Sequence, residues 1–214
     1  MSGRNRVGWV LAVTIAVVIG IVGTATMPVL AKASKKSDRR IAKVSTLKLS
    51  DLSGSGWTAQ GAESVDLSQV SDEAPTACAP FKTLGPINAE AATGFVNDDG
   101  AQVFNAVALY RSVKPAKAYF AALRSPTAAE CLEFALGGAP AFQSADVNIG
   151  SADDGVGFET QYESSTGAVI YLQVVIYRVG RATITFLTQN YGAVYPDTDK
   201  LVLSAVARLR ENLK

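Results

Sequence analysis

The sequence predicts an α+β fold, an antiparallel sheet of about five to six strands packed with helices and one disulfide, preceded by an apolar N-terminal segment. Three observations carry that expectation. The runs "GVGFETQYES", "GAVIYLQVVIYR" and "RATITFLTQNY" are strand-like and separated only by "STG" and "VG", the pattern of a meander. Apolar residues recur at helical spacing through residues 114–135 and again near the C-terminus. Only two cysteines occur, Cys78 and Cys131.

From Val7 to Ala31 no residue is charged. At about 1.5 Å per residue, part of such a run is enough to cross a hydrocarbon core of roughly 30 Å. Arg4 and Arg6 precede it, and Pro28 interrupts it just before Val29-Leu30-Ala31, whose small residues stand where a signal peptidase reads. Residues 1–31 therefore read as a signal peptide or a signal anchor. Residues 32–43 read as a basic linker, with Lys32, Lys35, Lys36, Arg39, Arg40 and Lys43. These outnumber Arg4 and Arg6, so the positive-inside rule alone would keep the C-terminal domain in the cytoplasm. The cleavage-like sequence and the cysteine usage point the other way. On balance residues 44–214 form an extracytoplasmic domain, held at a cell membrane through the N-terminal segment or secreted.

Along that domain, "VSTLKLSDL" alternates as a strand, and "SGSGWTAQG" reads as a turn-rich loop carrying Trp57. Ser71 caps a short helical piece in which Ala74, Ala77, Cys78 and Phe81 share a face. "AATGFV" and "AQVFNAVALYRS" flank "NDDG", a hairpin signal. Two helices come next. In "KPAKAYFAALRS" the stripe is Ala116, Tyr119, Phe120 and Leu123; in "SPTAAECLEFALGG" Thr127 and Glu130 match a capping box, Cys131 points inward, and Gly137-Gly138 stop the helix. In the middle strand of the meander, Ala168, Ile170, Leu172, Val174 and Ile176 line one face, while Val169, Tyr171, Val175 and Tyr177 line the other. Both faces are thus covered, by helices on one side and by another layer or a cleft on the other. "PDTDKLVLSAVARLRENLK" closes the chain as a helix burying Leu201, Val202, Ala205, Leu209 and Leu213.

The net charge of +1 conceals a split: residues 1–43 hold eight Lys or Arg against one Asp, and residues 44–214 hold twelve against eighteen acids. A domain near −6 with scattered cations is a poor match for a nucleic-acid backbone. The basic stretch suits anionic headgroups or wall polymers, or is simply solvated.

There is no histidine. That removes Ser-His-Asp and Cys-His nucleophiles, His-ligated zinc and the usual neutral-pH proton shuttle. The pairs Asp153/Asp154, Glu159/Glu163 and Glu130/Glu133 leave only carboxylate chemistry, such as glycoside hydrolysis, and solvated turns explain them more simply. "DVNIGSADDG" lacks the glycine and terminal acid of a calcium loop, and no phosphate-binding loop, dinucleotide fingerprint or GxSxG elbow is present. No catalytic residue, metal ligand or cofactor is therefore assigned. Cys78 and Cys131 read as one disulfide in an exported chain, or as two buried thiols in a cytoplasmic one. Among Tyr162, Tyr171, Tyr177, Phe186 and Tyr191, the candidates for contacting a ligand are Tyr171 and Tyr177, which would line an apolar cleft with polar tips or else cover a helix.

"LSDLSGSGW", the two cysteines between elements, "YRVGRATITFL" and "PDTDKLVLSAVARL" together resemble actinobacterial extracytoplasmic domains, the PknH-type kinase sensor domain and the LpqN-type secreted lipoproteins. The resemblance spans residues 45–214 and implies an antiparallel sheet with helices around a ligand cleft. The chain departs from it in lacking a lipid-attachment cysteine, a second cysteine pair and a kinase domain. The expected function is a non-catalytic, sensor-like module binding an apolar envelope ligand or an envelope protein. A purely structural or protein-interaction domain is the alternative, and a carboxylate-dependent hydrolase comes third.

Overall fold

The computed structural model describes residues 29–62, 67, 74–138 and 140–214. The expected signal or anchor segment lies outside the described residues up to position 28, as does the Ser71 cap. Helix α1 (Val29–Ser45) leads into a 3-10 turn (Leu49–Asp51) and strand β1 (Thr58–Gln60). A second 3-10 turn (Thr76–Cys78) runs into the one-turn helix α2 (Ala79–Lys82). Strands β2 (Ile87–Val96) and β3 (Gln102–Tyr110) form the hairpin, followed by α3 (Val113–Leu123) and α4 (Ala128–Ala135). Strands β4 (Gln143–Ala145), β5 (Asp154–Glu163), β6 (Val169–Val179) and β7 (Ala182–Tyr191) precede the closing helix α5 (Thr198–Asn212).

All seven strands belong to one antiparallel sheet in the order β1-β2-β3-β7-β6-β5-β4. The count exceeds the expected five to six because β1 and β4 are three-residue edge strands, too short to show a period of two. Two contiguous units meet where β7 pairs with β3, so the helices inserted between them must cover the sheet.

Alternation on β6 sorts two cores as expected. Val175, Tyr177 and Val179 pack with Val107, Ile184, Phe186 and the α5 residues Leu201, Val202, Ala205 and Leu209. On the other face, Leu172, Val174 and Ile176 meet Phe81, Tyr119, Phe120, Leu123, Cys131 and Leu132. Helices therefore pack on both faces: α1 and α5 on one, α2, α3 and α4 on the other.

Cys78 and Cys131 form a disulfide, with Cα atoms 4.9 Å apart and both residues fully buried. It joins the second 3-10 turn to α4. The capping box expected at α4 does not form; Thr127 Oγ1 instead donates to Ala77 O at 3.3 Å, a tie to the same turn the disulfide holds.

Two other expectations change. Residues 32–43 are helical within α1 rather than a linker, with Asp38 and Ala42 buried against the sheet. Residues 44–52 are not a strand. The Leu47 N–H donates to Asn105 Oδ1 (2.9 Å), Leu47 O accepts from Thr93 Oγ1 (3.3 Å), and Thr46 O accepts from Arg208 Nη1 (2.9 Å). Side chains on the sheet and α5 thus satisfy the backbone that a ladder would otherwise pair.

Residues 146–152 fold over β5, where two glycines give room. A β-carbon on Gly157 would stand 2.6 Å from Val147 Cγ1 and 2.9 Å from the Ala145 carbonyl oxygen. The second neighbour is backbone and cannot swing away. Gly157→Ala is expected to lower unfolding stability by about 1–3 kcal/mol, measured by urea denaturation, with the loss of protection greatest at the β4–β5 edge.

Candidate functional site

Among the described residues, helices cover only part of the α1/α5 face of the sheet. Towards the β5–β6 turn the same alternation that buries Val175 and Tyr177 presents polar side chains. In register, Gln161, Tyr171 and Asn190 form one row across β5, β6 and β7. Gln143, Glu159, Gln173 and Thr188 form the next, across β4 to β7. Residues facing each other across a sheet lie about 4.5–5.5 Å apart at Cα. The two rows therefore make one continuous patch.

Gln143, Glu159 and Gln161 are exposed; Tyr171, Gln173 and Asn190 are half-buried, and Thr188 is buried. Asn190 Nδ2 is engaged with Ala193 O at 3.1 Å. Gln173 Oε1 is out of contact with solvent and accepts no hydrogen bond. A buried acceptor left unmade is costly, of order 1–3 kcal/mol.

The structure separates the two tyrosines expected to line a cleft together. Tyr171 sits at the centre of the polar patch. Tyr177 is 1% exposed in the core beneath α5, and burial, with the Asp199 charge second, pushes its phenol up to about 12. Its ring packs the fold and has no surface for a ligand. Of the remaining aromatics, Phe186 is in the same core. Tyr162 and Tyr191 flank Ile170 across the opposite face; burial first, and Tyr191 second, raise the Tyr162 phenol.

The acidic pairs do not converge. Asp153 and Asp154 are adjacent on β5 and its approach but serve different partners: Asp154 pairs with Arg124. Asp153 Oδ1 accepts from Arg210 (2.6 Å), and its Oδ2 accepts from Gly180 N (2.6 Å) and Arg178 Nη1 (3.2 Å). Burial alone would raise the Asp153 carboxyl; the Gly180 amide and Arg210, with Arg178, outweigh it and hold it low. This knot borders a cleft of about 270 Å³ lined by Asp153, Val179, Gly180, Arg210, Leu213 and Lys214. Its acceptors are taken up in tying α5 to the β6–β7 turn. Glu159 and Glu163 share a face but lie four residues apart, about 13 Å along a strand. Glu133 accepts from the Phe142 amide at 2.9 Å.

Among the described residues, no group of three or more His, Cys, Asp or Glu side chains is placed to hold a metal ion. No described helix is long and apolar enough to cross a membrane. No family model matches the chain, and no curated protein is significantly similar to it.

The sequence reading missed Gln143, Gln161, Gln173 and Asn190. Their signal was present in part, since polar residues interrupt the outer half of each strand, but a glutamine in a strand is equally an ordinary solvated position.

Proposed function

We propose that this chain is a non-catalytic, exported or membrane-anchored binding module, and that its ligand surface is the patch around Tyr171. The observation that carries the reading is the pair of rows Gln161–Tyr171–Asn190 and Gln143–Glu159–Gln173, at a part of the sheet that no described helix covers and where Gln143, Glu159 and Gln161 are exposed. A primary amide offers donors and acceptors together, which is the requirement of vicinal hydroxyls, and a half-buried tyrosine offers a ring for C–H faces and a hydroxyl at its tip. The ligand class that fits is hydroxyl-rich and polar, such as an envelope carbohydrate, rather than the apolar ligand the sequence suggests. The Cys78–Cys131 bond supports an oxidising compartment. The resemblance to extracytoplasmic sensor-like domains supports the same reading.

The test is titration of the full chain in detergent micelles with a panel of soluble oligosaccharides, followed by backbone amide shifts. Shifts are expected at Tyr171, Gln173 and Asn190, and Tyr171→Ala should weaken binding roughly tenfold, about 1.4 kcal/mol. Tyr177→Phe should leave affinity unchanged. A panel that moves none of these amides would remove the carbohydrate reading and leave the protein-interaction alternative.

A further inference from the structure

Helix α1 has two sides of opposite character. Asp38, Ala42 and Ser45 are buried and Ile41 is half-buried, forming the face that packs on the sheet. Lys36, Arg39, Arg40 and Lys43 are exposed. At 100° per residue these four cations fall within an arc of roughly 100° on the side away from the sheet. None of the four is in an ion pair among the described residues. The helix's one acid, Asp38, faces inward and is held by Arg181 Nη2 at 2.6 Å, Arg181 Nη1 at 2.8 Å and Asn88 Nδ2 at 2.5 Å. That clamp fixes the rotation of α1. Next to Lys43 on the helix, Val44 is 40% exposed, and Leu49 in the 3-10 turn that follows is 48% exposed.

We propose that this stripe is a docking surface for an anionic phospholipid bilayer, which seats the domain with its α1/α5 layer against the headgroups. Cations on one face of an amphipathic helix, with an exposed apolar side chain beside them, are the chemistry of an interfacial helix. Two features select lipid over other polyanions. The uncharged run Val7–Ala31 leads directly into α1, so the stripe follows immediately on the segment proposed to enter the bilayer. The remainder of the domain is acidic, so an extended nucleic acid or acidic polymer reaching past the stripe would meet repulsion. The Tyr171 patch lies on the same side of the sheet and would look towards the same surface.

This inference rests on the membrane-anchored form of the proposed function, and the experiment separates the two. Full-length chain is reconstituted into vesicles of phosphatidylcholine alone or with about one-third phosphatidylglycerol. Flotation on the neutral vesicles reads the anchor. Amine acetylation followed by peptide mass spectrometry reads the stripe, with exposed Lys117 on α3, across the sheet, as the internal reference. Lys36 and Lys43 labelling is expected to fall roughly fivefold or more in the anionic vesicles relative to neutral ones, to recover in high salt, and to leave Lys117 unchanged. A chain that fails to float on neutral vesicles yet protects Lys36 and Lys43 on anionic ones supports the stripe and overturns the anchor. Equal labelling of Lys36 and Lys43 in both vesicles, or equal protection of Lys117, overturns the stripe. The paired change Arg39→Gln with Arg40→Gln removes no buried contact and should weaken the protection of both lysines.

Discussion

Arg181→Ala is expected to lower unfolding stability by about 2–3 kcal/mol and to loosen α1 selectively. Arg181 makes a two-pronged ion pair with Asp38 and also donates to Tyr110 O at 2.8 Å. The Asp38 side chain is 3% exposed, that of Arg181 28%. Removing the arginine therefore strands a buried carboxylate, for which losses of roughly 3–5 kcal/mol are usual, and the partial exposure of Arg181 sets the lower figure. Urea denaturation gives the total. Hydrogen exchange gives the location: amides of residues 35–45 should lose protection while β6 and β7 keep theirs. A uniform loss across the sheet would contradict a clamp acting on α1.

The same pair sets a pH dependence. The Arg181 hydrogen bond, opposed by burial and aided by Asn88, holds the Asp38 carboxyl below its ordinary value of 3.8. A depressed folded-state pKa means that the unfolded chain takes up the proton first. The stabilisation is complete above the unfolded value and is lost as pH falls through the folded one. Asp51 shifts the same way: burial would raise it, but Arg208 and the Lys48 amide outweigh burial. With Asp153 also held low, three aspartates fasten α1 to the β6–β7 turn, the first 3-10 turn to α5, and α5 to the approach of β5. Acid unfolding should therefore set in below about pH 4, and Arg181→Ala should flatten that limb.

Cys78→Ala with Cys131→Ala is expected to be the costlier change. The bond closes 53 residues of sequence separation, for which the chain-entropy model gives about 4 kcal/mol. The closed loop contains β2, β3 and α3, so the unfolded chain gains freedom over about a quarter of its 214 residues. Both cysteines are fully buried, in the core cluster that also holds Phe81, Tyr119, Phe120 and Leu132. Reductant without denaturant should accordingly act only as fast as the domain opens, followed by free-thiol counting. Rapid reduction of the folded protein would contradict the burial.

Much of the architecture was legible because apolar periodicity reports which faces meet solvent. The stripes of α3, α4 and α5 and the hairpin around "NDDG" appear where expected. So do the two alternating faces of β6. What misled was local resemblance without tertiary context. "VSTLKLSDL" alternates like a strand, yet its backbone is taken by Asn105, Thr93 and Arg208 from distant elements. Thr127 and Glu130 match a capping box, yet the hydroxyl has a better-placed partner in Ala77 O. The basic stretch looked like a linker because charge counts do not reveal that Asp38 turns inward to Arg181, 143 residues away.

The candidate site divides in the same way. Tyr171 was legible as a tyrosine on the second face of a strand. Its neighbours Gln161 and Asn190 come from β5 and β7, and Gln143 from an edge strand of three residues. Cross-strand register chooses those neighbours, and a one-residue slip would replace every one of them.

By itself the sequence determined the α+β class, the inward cysteines, the absence of histidine chemistry and the two-faced central strand, because each is a property of local spacing or composition. Only the tertiary structure decided that α1 belongs to the domain, that Tyr177 is core, and that Tyr171 stands among amides. Those outcomes depend on which distant side chain arrives at a given backbone group or sheet face, and that is set by packing between elements rather than within them.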